Sequence, residues 1–207
     1  MIIRPAEEKD FKDIDHIYEI SRYYMRVCGN NEQWANNYPK ADIIENDIAQ
    51  KKLYVCERGP LVFQESMLTE PVNGYEVEGG SGNAHAAVDA VRDFAAAHQK
   101  EINIFGVFYF APETESAYEH IDGSWLNDEP YAVIHRMGTE KRRRGTGKFC
   151  MEWAIKKAEE LGLGGGIRVD THEKNTAMRG LLTHMGFSEC GIITYPEYGE
   201  RIAYQRI

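Results

Sequence analysis

The 207-residue sequence contains no run of about 18 consecutive apolar residues, so nothing in it reads as a membrane-spanning helix. Its opening, MIIRPAEEKD, lacks a basic segment followed by an apolar one, so no secretory leader is read there and a cytoplasmic location is expected. Cysteine is scarce: Cys28, Cys56, Cys150 and Cys190 stand far apart, with no CxxC pair and no histidine at zinc-finger distance. That spacing excludes a disulfide framework and a metal site and leaves buried, reduced thiols. Positive charge is also short, with 24 Lys+Arg against 33 Asp+Glu and a formal charge of −9. Such a balance argues against broad nucleic-acid binding. Internal repeats are missing too. What the sequence does have is 43% hydrophobic and 28% charged residues, enough to build a core. Its length suits one domain, or one domain with an insertion.

Strand and helix patterns alternate along the chain. MIIRPA predicts an opening strand, and the acids Glu7, Glu8 and Asp10 favour a helix start because they complement its dipole. Phe11, Ile14, Ile17, Tyr18 and Ser21 follow at helical spacing. After the polar turn CGNNEQ come Trp34, Tyr38-Pro39, a short helix marked by Ile44 and Ile48, and a strand at Leu53–Glu57. Ile102–Phe110 and Tyr131–Met137 read as strands on either side of the turn-rich GSWLNDEP. A long helix opens at Gly145-Thr146-Gly147, keeps its period through Cys150, Trp153, Ala154, Lys157, Ala158 and Leu161, and stops at Gly162. A strand at Ile167–Thr171, a helix at Asn175–Met185 and a hairpin around Pro196–Gly199 complete an α/β order. The stretch 59–103 stands apart as an acidic insertion, with seven acids against two bases, Pro71 and clustered glycines. Its Ala84–Ala95 face is read as a packing face, against this domain or a partner, and a homodimer is among the expected partnerships.

The most informative segment is Arg142-Arg143-Arg144-Gly145-Thr146-Gly147-Lys148, between a strand and an amphipathic helix. Glycines let backbone N–H groups approach a ligand, and the amides and positive dipole end of a helix attract phosphate. Three neighbouring arginines add charge suited to phosphate oxygens. A P-loop is excluded, because Phe149 follows Lys148 where Ser or Thr is needed, and a dinucleotide GxGxxG is excluded by Cys150. The bland alternative is a solvated charge run.

This segment resembles the [RQ]xxGxG acetyl-CoA loop of the GCN5-related N-acetyltransferase (GNAT) family, read here as Arg142-x-x-Gly145-x-Gly147. A second match follows at the family's spacing, where Asn175-x-x-Met178-x-x-Leu181-Leu182-x-His184-x-Gly186-Phe187 resembles NxxAxxLYxxxGF. The resemblance covers about residues 1–58 and 104–207. It implies an α/β, GNAT-like acyl-CoA N-acyltransferase fold: a central twisted mixed β-sheet flanked by helices, in a single domain over 1–207 interrupted at about 59–103. It further implies an N-acetyltransferase that moves the acetyl group of acetyl-CoA to a primary amine of a small molecule or peptide, by direct attack in a ternary complex and without a metal. Arg142, Arg143, Arg144, Gly145, Thr146, Gly147 and Lys148 would then cradle the pyrophosphate. The pantetheine arm would pair with backbone at His135 and Met137, and Asn175 would hold its far part. Leu182 departs from the family, which commonly has a tyrosine there as the acid for the leaving thiolate. The thiolate could leave unprotonated, or Tyr195, Tyr198 or His172 could act instead.

The amine must lose a proton, which needs a base. His135, on the strand that would border the thioester, suits that role, and its alternative is a structural histidine. His172, at a strand end, is a second candidate, with an ordinary loop histidine as the alternative, while Asp170 would fix the turn. The resemblance also makes Trp34, Tyr38, Trp125 and Asp128 candidates for the acceptor pocket, which the family builds from the early helices and the loop between the middle strands; aromatics beside acids suit a cationic amine. For Trp34 and Trp125, core packing is an equal alternative. Two other functions are compatible with parts of the pattern. One is a non-catalytic acyl-CoA-binding sensor, favoured by Leu182. The other is a nucleic-acid module built on Arg142–Arg144, disfavoured by the net charge and the absence of interleaved aromatics.

Overall fold

Strand β3 (Ile104–Ala111) is an unbroken apolar run because both of its faces are covered. Val107, Tyr109 and Ala111 pack on one side with Ile14, Ile17 and Tyr18 of helix α1 (Phe11–Val27) and with Ile44 and Ile48 of α2 (Ala41–Ala49). Phe108 and Phe110 pack on the other side with Cys150, Met151 and Ala154 of α3 (Thr146–Glu160) and with Leu182 of α4 (Thr176–His184). The period of two along one strand thus builds both halves of the core. The computed structural model describes residues 1–59, 103–140 and 144–207. The body of the expected insertion, including its Ala84–Ala95 face, and Arg142 and Arg143 lie outside the described residues.

The remaining strands are β1 (Ile2–Pro5), β2 (Leu53–Glu57), β4 (Ile121–Gly123), β5 (Ala132–Thr139), β6 (Ile167–Thr171), β7 (Ser188–Tyr195) and β8 (Gly199–Arg206). They form one mixed sheet in the order β1-β2-β3-β5-β6-β8-β7-β4, with helices on both faces, as the α/β reading expects. Every neighbouring pair is antiparallel except β5 and β6. The expected strands and helices form within a residue or two of their expected bounds. The short strand β4 was not expected, because three residues are too few to show a period, the last of them opens the turn-rich GSWLNDEP, and they pair only with the edge of β7. All four cysteines are free, but Cys28 is only partly buried, unlike the other three. No helix among the described residues is long and apolar enough to cross a membrane.

Two irregularities in β5 set up the site. Its parallel ladder with β6 covers only Ala132–Ile134 against Ile167–Val169, although β5 runs five residues further, so the two strands part. On the other edge, β5 carries a bulge against β3: Gly138 pairs with Val107 and His135 with Tyr109, leaving one residue too many on β5. Arg136 takes a left-handed φ of 51° there. Gly138 lies under α1, where a Cβ would stand 3.0 Å from Ser21 Oγ and 3.1 Å from Ile17 Cγ2, so only glycine lets the helix lie this close.

Candidate active site

Where β5 and β6 part, two cavities of about 150 and 130 Å³ lie end to end and share Met137, Asn175 and Met178 in their walls. The smaller is lined by Tyr24 and Met25 of α1, by Met137–Thr139 of β5, by Gly147 and by Leu181. It begins at the N-terminus of α3. Gly145 caps that helix in the left-handed conformation (φ 80°), and the amides of Gly147 and Lys148 lie in its first turn, ahead of the bond from the Phe149 amide to the Gly145 carbonyl at 3.0 Å. Arg144 is exposed beside them, and Lys148 lies 3.7 Å from Glu152. Along the groove the β5 backbone beyond Ile134 has no β6 partner, leaving a free strand edge for an extended ligand. Asn175 caps α4, accepting from the Met178 amide at 3.2 Å, and its Nδ2 donates to Gln33 at 3.1 Å. A helix N-terminus leading into a strand-like slot has the polarity and shape to suit a long carrier with an anionic end.

The larger cavity holds the titratable groups. Asp170 Oδ1 accepts from Tyr118 Oη at 2.8 Å and Tyr195 Oη at 3.0 Å, and lies 3.7 Å from His135 Nδ1. His135 Nε2 lies 3.3 Å from Glu115 Oε2, without the alignment of a hydrogen bond. Interaction with His135 holds the Glu115 carboxyl below its ordinary value. Burial, then the Asp170 charge, push both tyrosine hydroxyls well above the usual phenol range, so both stay protonated at neutral pH. Arg136 turns to the opposite wall, where it donates to Asp47 at 2.6 Å and to Tyr38 at 3.2 Å and stacks 4.5 Å above the Tyr109 ring.

Of the residues singled out from sequence, His135, Met137, Asn175, Tyr195, Trp34 and Tyr38 meet in this cavity, and Tyr198 joins them. His172 does not line it: Nδ1 accepts from the Lys174 amide at 3.2 Å and Nε2 faces Glu32 at 3.4 Å. Trp125 is drawn away by packing, donating to the Tyr118 carbonyl and stacking on Arg168, and Asp128 is exposed outside the cavity. Leu182 is fully buried in the α3–α4 half of the core. Sequence reading missed Glu115, Gln33, Arg136 and Arg201, which come from four separate segments and carry no shared spacing.

A groove that opens through a splayed sheet onto a histidine, two carboxylates and the Tyr195 hydroxyl holds the groups that a group-transfer enzyme uses. The acetyltransferase (GNAT) family model matches residues 80–187, just over half of the chain, and the chain belongs to that family; it is an acetyltransferase. A search of curated proteins returns no match. Among solved structures, an acetyltransferase of the GNAT family from Streptococcus agalactiae is 22% identical, with a TM-score of 0.67 over 100% of this chain and 94% of that one. The ribosomal-protein-alanine N-acetyltransferase from Brucella melitensis is 14% identical, with a TM-score of 0.54 over 100% and 99%. NAA60 from Arabidopsis thaliana, solved with acetyl-CoA, is 11% identical, with a TM-score of 0.55 over 99% and 97%. At these identities the likeness is one of fold.

Proposed function

We propose that the chain transfers the acetyl group of acetyl-CoA to a primary amine of a small molecule or peptide, by direct attack with both substrates bound, in one domain interrupted by the acidic segment at about 59–103. The observation that carries this reading is the continuity of the two cavities, which joins the α3 cradle to His135 through the gap between β5 and β6. Acetyl-CoA supplies an activated thioester. Arg142, Arg143 and Arg144 would provide charge at its phosphates, with the amides of Gly145, Thr146, Gly147 and Lys148 as hydrogen-bond donors. The β5 backbone at His135 and Met137 would pair with the pantetheine arm, and Asn175 would border it.

His135 takes the proton of the attacking amine, directly or through water. Asp170 and Glu115, at 3.7 and 3.3 Å from its ring, favour the imidazolium that results. The same carboxylates draw a protonated amine into the cavity. Tyr195 remains a hydrogen-bond donor at neutral pH and orients Asp170. Trp34 and Tyr38 would bound the acceptor side. His172 is proposed to act only in shaping the turn before Asn175, whose amide donates to its carbonyl at 2.9 Å.

A second reading, an acyl-CoA sensor without turnover, is favoured by one observation: Leu182 fills its slot with hydrocarbon and leaves no phenol there. Acetyl-CoA should raise the melting temperature of the purified protein under both readings. Release of free thiol from acetyl-CoA across an amine panel separates them, since the sensor releases none. No thermal shift with acetyl-CoA would refute both.

A further inference from the structure

The acetyl-transfer reading leaves open which amine enters, and the inference that follows rests on it. Among the described residues, the cavity holds one charged group that no partner accounts for. Arg201 on β8 lines the wall and is 4% exposed. Its single hydrogen bond runs from Nη1 to the Glu200 carbonyl at 2.7 Å, and no carboxylate among the described residues lies within 4.0 Å. Removing a guanidinium from water without a counter-charge is costly, and burial depresses its pKa from the ordinary arginine value. Arg136 in the same cavity shows the usual solution, an ion pair with Asp47 at 2.6 Å. Of the two acids that line the cavity, Glu115 faces His135, and Asp170 is engaged by Tyr118 and Tyr195 and acts on Arg201 only through space. The cavity is therefore bipolar, with carboxylates around His135 and an uncompensated guanidinium on the β8 wall.

We infer that the acceptor is a small amine that carries a carboxylate, with its amine at His135 and its carboxylate on Arg201. The planar guanidinium matches a carboxylate in geometry and charge, and a buried pairing of this kind is strong because water does not compete. At about 150 Å³ the cavity is smaller than the ~300–1,000 Å³ of pockets that enclose drug-sized ligands, which suits an acceptor on the scale of a single amino acid. The N-terminus of a peptide offers an amide carbonyl at that position and leaves Arg201 without its counter-charge.

The test compares matched acceptors with the full-length protein and acetyl-CoA, following thiol release: leucine against leucinamide and isoamylamine, and phenylalanine against phenylalaninamide and phenethylamine. The free acid should exceed both partners in kcat/KM by on the order of ten- to a hundredfold, the range of one charge-assisted hydrogen bond. Arg201→Gln should bring that ratio close to one, while Arg201→Lys keeps part of it; the acetyl-CoA thermal shift of each variant reports whether it has folded. Should Arg201→Gln fail to fold, the wild-type ratio decides alone. Equal or better use of the amide or the plain amine by the wild type overturns the inference and leaves acetyl transfer standing. Inertness toward every acceptor overturns the transfer reading, and this inference with it.

Discussion

Gly147 is the position at which stability and the proposed grip on the carrier can be separated. It sits in the first turn of α3 and lines the smaller cavity, without the positive φ of Gly145. A Cβ there would meet Leu181 Cδ2 at 3.4 Å and Thr139 Cγ2 at 3.9 Å, both ordinary contacts with flexible side-chain tips. Gly147→Ala therefore removes a helical glycine without a clash and should stabilise the apo protein by up to ~1 kcal/mol. For a chain of this size that raises the apo melting temperature by about 2–4 °C. On the proposed binding mode the same methyl intrudes where a phosphate would approach the backbone. Loss of one charge-assisted hydrogen bond would weaken acetyl-CoA about tenfold or more. At a concentration a hundred times the wild-type Kd, binding stabilises by ~2.7 kcal/mol, and a tenfold weaker Kd roughly halves that. Differential scanning fluorimetry with and without acetyl-CoA, and calorimetric titration, should thus show a higher apo melting temperature and a smaller ligand shift in one variant. Acetyl-CoA binding as tight as wild type would refute the placement of the phosphates against this turn.

Two further outcomes follow from buried groups away from the cradle. Asp10 accepts from Arg4 at 2.6 and 3.0 Å and from the Glu7 amide at 2.8 Å; burial pushes its pKa up, but these bonds outweigh it and leave it below the ordinary value. A depressed pKa gives stability that is present above about pH 4, the unfolded value, and lost as pH falls through the folded one. Asp10→Asn should cost about 2–4 kcal/mol at pH 7 and flatten the stability curve below pH 4 in urea unfolding; an unchanged acid limb would contradict the assignment. Leu182→Tyr, which restores the residue common in the family, should overpack an apolar slot and bury a hydroxyl, costing about 1–3 kcal/mol from packing alone without raising kcat. A stable variant with faster turnover would mean that the slot opens onto the reacting atoms.

The elements were legible wherever one period ran long enough to be read. α1 shows its Ile14, Ile17 and Tyr18 face, and β3 betrays double burial by having no polar position at all. β4 was illegible because three residues carry no period. At the site, the start of α3 was legible because Gly145 answers a local backbone demand, a left-handed φ of 80°. Trp125 and Asp128 misled because composition cannot tell which end of the sheet a loop will cover; the loop turns toward Arg168, held between the Trp125 and Tyr131 rings at 4.2 and 4.0 Å. Arg201 was hidden for a related reason: only strand order brings the closing hairpin against β6 and the Trp34 loop.

The bulge in β5 explains why these separate segments make one site. In a regular strand His135 and Arg136 would point to opposite faces. Here both stand on the α1–α2 face beside Tyr109, His135 with ring centroids 5.9 Å apart and Arg136 with its guanidinium 4.5 Å from the ring. The extra residue then shifts the alternation, so that Met137 packs with the α3–α4 half of the core and Gly138 meets α1. Had the alternation continued, Met137 would fall under α1, at odds with a helix that approaches closely enough to require glycine. The bulge therefore places the histidine in the cavity, ties the strand to Asp47 through Arg136, and lets α1 close over the groove. The parting of β6 from the same stretch frees the backbone edge beside it. One inserted residue and one interrupted ladder together produce the groove, its floor and the histidine at its inner end.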